Sequence, residues 1–277
     1  MGFEFTNSSL KDAQVVILGI PFDRTSSYMG GCRFAPQFIR IGGENIEAYS
    51  PYFNEHITKY AIHDAGDVLL DYSTVKQTFN QIRRKIRKYL QAKKKLLILG
   101  GEHTITIPII QEFLRFYPNL YIIQLDAHSD TRDTFLGEKF CHATVIKRIS
   151  EMVSTERIIQ LGLRSLTVSP QNPNQFLFTV LEPIYKIKDI IKESPCYLTL
   201  DIDVIDCGLF PAVQTPVPGG IDYKELFNAI YEFRKINIVG CDLVEYSPLV
   251  MPNLNYASVA AEITRELLLL LCHKLSL

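Results

Sequence analysis

Six short runs of apolar residues recur along the chain and alternate with longer segments of mixed polarity. The runs cover residues 15–18, 96–99, 120–125, 158–161, 197–200 and 236–243. Most of them are continuous rather than alternating, which is typical of strands that are covered on both faces. We therefore expect buried strands that belong to a mostly parallel sheet.

Helical periodicity is clearest between the first two runs. Val75, Phe79, Ile82, Ile86 and Tyr89 lie three or four residues apart, so all five share one face of a helix. Alternating strands and helices predict an α/β fold with three layers, α/β/α, in which helices cover both faces of the sheet. Because no repeat, low-complexity stretch or linker-like segment interrupts this pattern, we expect residues 1–277 to form a single domain.

Composition and charge narrow the class of protein. Hydrophobic residues make up 47% of the 277 residues and charged residues 21%, which suits a folded domain with a large core. The net charge of −1 argues against a nucleic-acid partner. Six cysteines without a C-x-x-C pair predict reduced thiols, and no apolar run approaches the roughly 18 residues of a membrane span. We expect a cytoplasmic protein without a membrane partner; residues 1–6 satisfy the loose N-myristoylation pattern, but no polybasic patch adjoins it.

Chemically reactive side chains directly follow three of the apolar runs. Their ligand-type members are His103, then Asp126, His128 and Asp130, and then Asp201 and Asp203. In an open parallel sheet, ligands bind beyond the carboxyl ends of the strands, so the three clusters should face one crevice. Side chains two positions apart on an extended chain point the same way, so we expect the members of each cluster to converge.

Four carboxylates and two imidazoles in one crevice would repel each other strongly unless cations were bound among them. An isolated D-x-H-x-D motif can also be a strand-end turn, but three clusters placed after three strands favour a metal centre. Six ligands exceed the needs of one ion, so we expect two. Oxygen-rich ligation with some imidazole suits Mn²⁺ better than Zn²⁺, and such a pair can activate water for hydrolysis.

The same motifs resemble those of the ureohydrolase family, the binuclear-manganese enzymes that include arginases and agmatinases. The matching stretches are residues 19–23, 33–40, 100–104, 126–130, 201–206 and 215–220. This resemblance implies an arginase-like fold, two Mn²⁺ ions, and the six side chains named above as their ligands. It also implies an assembly of identical subunits, either a trimer or a hexamer.

The resemblance assigns catalytic roles to three residues. Glu245 would accept the guanidinium of the substrate, because a planar guanidinium and a carboxylate pair through parallel, charge-assisted hydrogen bonds. His142 would relay protons to the departing amine, since an imidazole titrates near neutral pH. Asp130 would accept a hydrogen bond from the attacking water while it remains a metal ligand.

The choice of substrate depends on Arg132, which stands where arginases carry an asparagine. The resemblance is therefore closer to the agmatinase branch, which implies hydrolysis of agmatine to putrescine and urea in polyamine biosynthesis. If Arg132 points inward, its charge favours guanidinobutyrate or another guanidino acid, including arginine. Departures from the family pattern at Ala143, Cys207 and Ala212 alter loop shape. They leave open an inactive metal-binding member. A third alternative keeps the fold but changes the bond that is cleaved, as in the related metal-dependent deacetylases.

Overall fold

The structure is a computed structural model that describes residues 3–273, so Met1 and Gly2 of the myristoylation pattern lie outside the described residues. Its strands are β1 Val15–Ile20, β2 Tyr49–Ser50, β3 Glu55–His56, β4 Ile62–Asp67, β5 Lys95–Gly100, β6 Tyr121–Leu125, β7 Ile158–Leu163, β8 Gln175–Leu177, β9 Cys196–Asp201 and β10 Ile238–Val244. Its α-helices are α1 Ala35–Gly42, α2 Val75–Gln91, α3 Thr106–Phe116, α4 Val145–Ser150, α5 Leu181–Ile191, α6 Tyr223–Glu232 and α7 Leu254–Cys272.

Eight of the strands form one parallel sheet in the order β4-β1-β5-β10-β9-β6-β7-β8. The predicted parallel sheet is therefore confirmed, and each of the six apolar runs coincides with a strand. The edge strands β4 and β8 were not predicted. In β4 only Ile62 is buried, and His63, Asp64, Gly66 and Asp67 interrupt any apolar pattern, so this edge strand lacks the apolar run that marks a central strand.

Helices cover both faces of the sheet, as the alternating pattern predicted. Successive residues of each strand alternate between two cores. Val15 and Ile17 of β1 face the core that contains α1, α5, α6 and α7, whereas Val16 and Leu18 face the core that contains α2, α3 and α4. The fold is thus three-layered, with the sheet as its middle layer.

Helix α2 matches the helix expected from the apolar spacing. Thr74 caps its first turn by accepting a hydrogen bond from the backbone N–H of Gln77. On the buried side α2 packs against α3, and Arg87 of α2 forms a bidentate ion pair with Glu112 of α3. The apolar face and this ion pair together fix the position of α2 on the sheet.

The six cysteines are free thiols, as predicted, and all but Cys207 are buried. Across residues 3–273, no helix combines the length and the apolar character needed to cross a bilayer. Helix α7 is the longest at 19 residues and is largely buried. It also carries a buried ion pair between Arg265 and Glu266.

Close packing of α1 against α7 depends on Gly42, and we predict that Gly42→Ala lowers the free energy of unfolding by about 2 kcal/mol. An added Cβ would lie 2.2 Å from the carbonyl oxygen of Ala257, so the two helix backbones would have to separate. Urea denaturation measures the effect. Gly30→Ala is the control, because its Cβ would lie 3.7 Å from the nearest atom, Asp23 Oδ2. Equal stability of the two variants would contradict the prediction.

Candidate metal centre and active site

Four neighbouring strands, β5, β10, β9 and β6, end at one crevice. His103 follows β5, Glu245 follows β10, Asp201 ends β9, and the segment 126–130 follows β6. Because all four strands are parallel, their carboxyl ends lie at the same edge of the sheet. The structure therefore brings the three clusters and Glu245 together.

Two overlapping groups of side chains have the spacing of metal ligands. In the first group, His103 Nδ1 lies 3.2 Å from Asp126 Oδ2 and 3.4 Å from Asp201 Oδ2. In the second, His128 Nδ1 lies 2.8 Å from Asp203 Oδ2 and 3.6 Å from Asp126 Oδ1. Asp126 thus contributes one carboxylate oxygen to each group. This arrangement suits two adjacent cations that share one carboxylate.

The hydrogen bonds of His103 establish which ring nitrogen carries the proton. Nε2 lies 2.9 Å from the hydroxyl oxygen of Thr199, and this hydroxyl donates its own hydrogen to Asp242 at 2.6 Å. Thr199 must therefore accept from Nε2–H, which leaves a lone pair on Nδ1. Within residues 3–273, Nδ1 is buried without a hydrogen-bond partner and faces three carboxylates. This set of donors fits a metal cation, which turns a repulsive contact into ligation.

The side chains converge through local turns, so the expectation of extended backbone is wrong. The backbone N–H of His128 donates to Asp126 Oδ1 at 2.5 Å, and that of Asp203 donates to Asp201 Oδ1 at 2.9 Å. Each carboxylate therefore accepts from the residue two positions ahead, as in an Asx turn. Asp203 lies in the 3₁₀ turn Ile202–Val204 rather than in a strand. Convergence is set by these turns and not by strand alternation.

Asp130 and Glu245 both have left-handed backbone, with φ of 52° and 67°. Such a conformation costs a residue other than glycine about 1 kcal/mol or more, so the surrounding contacts must impose it. It brings Asp130 Oδ2 to 3.2 Å from His103 Nδ1, beside both ligand groups. It also turns the Glu245 side chain back over the crevice, where its Oε1 accepts the backbone N–H of His103 at 2.7 Å.

The carboxylates of the crevice outnumber the imidazoles that could balance their charge. Burial, followed by the charge of Glu102, raises the pKa of Glu245 to about 8. Burial and the charge of Asp126 raise the pKa of Asp130 to about 6, and burial with neighbouring carboxylates raises the pKa of Asp201. In each case the anion is disfavoured until positive charge is supplied. A bound cation and a cationic substrate would both supply that charge.

His142 is held at the edge of the crevice by the loop that follows β1. Its Nδ1 lies 3.2 Å from the carbonyl oxygen of Thr25, so Nδ1 carries the hydrogen and Nε2 accepts from the Ser27 hydroxyl at 3.0 Å. The loop is fixed in turn by buried Glu102, which accepts from the backbone N–H and hydroxyl of Thr25 and from the hydroxyl of Ser26. Burial lowers the pKa of His142, which favours the neutral ring.

Arg132 lies at the entrance to the crevice rather than among the ligands. A cavity of about 230 Å³ opens above the cluster and is lined by side chains that include Arg132, Phe135, His142, Ser165, Thr215 and Glu245. Arg132 is exposed, and its guanidinium lies 5.0 Å from the centre of the Phe135 ring. Its charge is therefore partly screened by solvent.

Sequence reasoning missed the polar side chains that support the ligands. Asp242 is fully buried in β10 and accepts hydrogen bonds from the hydroxyls of Thr106, Thr199 and Tyr197. Gln124 of β6 donates to Asp126 Oδ2 at 2.5 Å. A signal was present, because each of Asp242, Thr199 and Gln124 is a polar residue that interrupts an apolar strand.

Residues 13–270 match the sequence profile of the arginase family. The chain belongs to this family. It is 35% identical over 272 residues to an agmatinase of Bacillus anthracis, which covers 95% of this chain and 94% of the relative. The crystal structure of agmatine ureohydrolase of Thermoplasma volcanium superimposes with a TM-score of 0.86 at 29% identity, covering 97% and 93%. Proclavaminate amidino hydrolase of Streptomyces clavuligerus superimposes with a TM-score of 0.88 at 26% sequence identity. The match covers 98% of this chain and 96% of that protein.

The resemblance to ureohydrolases, closest to agmatinases, is thus confirmed, and the chain is an arginase-family ureohydrolase. Its departures from the family pattern leave the loop after β9 ordered. The Asp206 carboxylate accepts backbone N–H groups from Gly208, Gly219 and Gly220, which tie the two ends of the loop together. Cys207 lies within this closed turn, and Ala212 is fully buried. Neither residue is among the side chains that line the cavity.

Crowding of carboxylates predicts that Asp201→Asn has opposite effects with and without metal. In EDTA the variant should be more stable than the unmodified protein by about 1 kcal/mol, because it removes one like charge while the amide oxygen still accepts from Asp203 N–H. With Mn²⁺ at a hundredfold excess over its dissociation constant, the unmodified protein should gain about 3 kcal/mol for each bound ion, whereas the variant should gain less, because only the group of Asp126, His128 and Asp203 stays intact. Urea denaturation in the two buffers measures both effects.

Asp189→Asn is the matched control, since it removes an exposed acid from α5. It should respond to Mn²⁺ as the unmodified protein does. An Asp201→Asn variant that is less stable in EDTA, or that gains as much stability from Mn²⁺ as the unmodified protein, would show that Asp201 is not part of a cation site.

Proposed function

We propose that this ureohydrolase hydrolyses agmatine to putrescine and urea at a centre of two Mn²⁺ ions. His103, Asp126, His128, Asp130, Asp201 and Asp203 would hold the ions. The names of the relatives support agmatine as the substrate. The proposal includes a cytoplasmic assembly of identical subunits, either a trimer or a hexamer, in keeping with the sequence resemblance.

The observation that carries the proposal is the environment of Glu245. Its carboxylate is buried at the floor of the cavity, and among the described residues it accepts hydrogen bonds from the backbone N–H of His103 and, at 3.4 Å, from the thiol of Cys32. No lysine or arginine among residues 3–273 pairs with it. A buried carboxylate without a cationic partner suits a substrate that brings its own positive charge, and a guanidinium offers paired N–H donors as well.

The arrangement supports a division of roles among the side chains. The bound metal pair would supply a water of lowered pKa as nucleophile. Asp130 is placed to accept a hydrogen bond beside the ligand groups, and Glu245 would orient the guanidinium carbon toward them. Nδ1 of His142 faces the carbonyl oxygen of Thr25 and Nε2 faces the Ser27 hydroxyl, so the imidazole and this hydroxyl would move a proton between solvent and the departing amine.

Competing activities are weakened by the same geometry. A deacetylase substrate is uncharged at the reacting carbon and would leave Glu245 buried without a partner. An inactive metal-binding protein would need neither Glu245 nor the neutral His142 at the cavity. Guanidino acids remain the second candidate, because Arg132 lies at the entrance and could pair with a carboxylate. Its exposure favours agmatine, since solvent weakens its repulsion of the distal amine.

Glu245→Gln should lower kcat/KM for agmatine about 100-fold, because it removes the negative charge that pairs with the guanidinium. The amide oxygen can still accept the His103 N–H, so Mn²⁺ affinity should stay within about threefold. Urea release and calorimetric Mn²⁺ titration measure the two quantities. Glu138→Gln, an exposed acid near the entrance, serves as the control and should match the unmodified enzyme. Full activity of Glu245→Gln would refute the proposed role.

Arg132→Gln tests the choice between agmatine and guanidino acids. Removing this positive charge should raise the ratio of kcat/KM for agmatine to kcat/KM for guanidinobutyrate about fivefold, in line with the strength of exposed charge pairs. Lys139→Gln removes an exposed cation from the same loop and should leave the ratio unchanged. Urea release from both substrates and from arginine provides the measurement. If the unmodified enzyme cleaves guanidinobutyrate and not agmatine, the second candidate replaces the first.

A further inference from the structure

We propose that Gln124, Gln160 and Gln175 form a glutamine ladder that positions Asp126 from the edge of the sheet. The three residues lie side by side on the adjacent strands β6, β7 and β8, where Gln124 pairs in register with Gln160 and Gln160 with Gln175. The inference rests on the proposed metal centre, because Asp126 is the carboxylate that both ligand groups share. These glutamines act through Asp126 and are positioning residues.

The ladder is a continuous chain of hydrogen bonds that runs toward Asp126. Gln175 Nε2 donates to Gln160 Oε1 at 2.7 Å, Gln160 Nε2 donates to Gln124 Oε1 at 2.6 Å, and Gln124 Nε2 donates to Asp126 Oδ2 at 2.5 Å. At the far end, Gln175 Oε1 accepts the backbone N–H groups of Gln171 and Asn172 at 2.7 and 3.1 Å.

The direction of the ladder is fixed independently at three points. Backbone N–H groups can only donate, so the atom of Gln175 that faces them is oxygen. The Gln160 amide also contacts the carbonyl oxygen of Ser129 at 2.9 Å, so the atom there is nitrogen. The carboxylate of Asp126 accepts from Gln124, which requires nitrogen at that end. Since all three requirements agree, no amide can be reversed alone without placing oxygen against oxygen or hydrogen against hydrogen.

Burial makes a reversed or broken ladder costly. Gln124 and Gln160 are 0% and 2% exposed, so water is not available to replace a lost partner. An unsatisfied buried amide group costs about 1–3 kcal/mol, which exceeds the net gain from a typical hydrogen bond. A change in the donor at Gln175 is therefore expected to pass along the ladder to Asp126 rather than be absorbed locally.

The ladder ends at an oxygen atom of Asp126, the carboxylate that both ligand groups share. Oδ2 of Asp126 accepts from Gln124 and lies 3.2 Å from His103 Nδ1 in the first ligand group. Oδ1 accepts the N–H of His128 and belongs to the second group. The ladder thus fixes the rotation of the carboxylate so that each oxygen faces its own group. Loss of such supporting hydrogen bonds commonly weakens metal binding about 10- to 100-fold.

Two variants test the ladder at its ends. Gln124→Met removes the donor next to Asp126 with little change in volume. Gln175→Glu acts two strands away, about 10 Å from Asp126. It keeps an acceptor for the loop N–H groups but presents a carboxylate oxygen to Gln160 Oε1 in place of the Gln175 donor, so the ladder loses its hydrogen bond at this end and the orientation of Gln160 and Gln124 is no longer supported from that side. Gln171→Glu is the matched control, because it adds the same charge in the loop that precedes β8, while the hydrogen bonds of its side chain within residues 3–273 go to Ser169.

The measurement is calorimetric titration of the EDTA-stripped full-length protein with Mn²⁺, together with thermal unfolding in EDTA. We expect the dissociation constant to rise about 30-fold for Gln124→Met and about tenfold for Gln175→Glu, with less than a twofold change for Gln171→Glu. In the Gln124→Met background, Gln175→Glu should have no further effect, because the path to Asp126 is already interrupted. A role in stability alone would lower unfolding temperatures in EDTA but leave Mn²⁺ affinity unchanged.

The outcomes separate this inference from the proposed function. If the unmodified protein binds no Mn²⁺, the proposed centre is wrong and the role of the ladder is wrong with it. If the unmodified protein binds Mn²⁺ and Gln175→Glu binds it equally well, the ladder does not position Asp126, while the proposed function stands. Additive effects of the two substitutions would likewise overturn the ladder, since they would act by separate routes.

Discussion

The main physical constraint on this structure is the mutual repulsion of carboxylates that are buried together in one crevice. Asp126, Asp130, Asp201 and Asp203 lie around two imidazoles, and Glu245 is buried beside them. Such a set is unfavourable by itself, because burial disfavours each anion and the anions disfavour one another. It persists because the surrounding three-layered fold is large enough to hold it. Under the proposed function, the same repulsion would favour the binding of metal cations and of a cationic substrate.

The sheet supplies the rigidity that this crevice requires. Four adjacent parallel strands end at it, and polar residues within those strands support the ligands from behind. Asp242 and Thr199 determine that His103 presents the lone pair of Nδ1, while Gln124 orients Asp126. These buried polar groups are tolerated because each is hydrogen-bonded within the sheet. The central strands, which are mainly apolar in sequence, thus also contain the polar residues that hydrogen-bond to the side chains of the site.

Under the proposed function, the loops would add substrate selectivity and proton transfer to what the sheet provides. The loop after β1 holds His142 and is itself held by Glu102, so the position of the imidazole depends on a buried acid that does not contact it closely. Arg132 is exposed on the loop after β6, where it can influence the distal end of a substrate without disturbing the reacting groups. Under the proposed function, Arg132 would act at the entrance of the cavity, whereas Asp130 on the same segment and Glu245 would act deeper in the crevice.

Local sequence patterns determined the element types and the residue types of the site. Continuous apolar runs identified the six inner strands, the spacing from Val75 to Tyr89 identified α2, and the position of His103 and the acidic motifs after strands indicated a shared crevice. Tertiary structure alone decided the rest. The edge strand β4 is polar and forms only because β1 offers it a partner. The Asx turns at Asp126 and Asp201, and not strand alternation, aim the ligands. The glutamine ladder exists only through the register of β6, β7 and β8, and the register between strands distant in sequence is set by packing of the whole sheet, which no local pattern encodes.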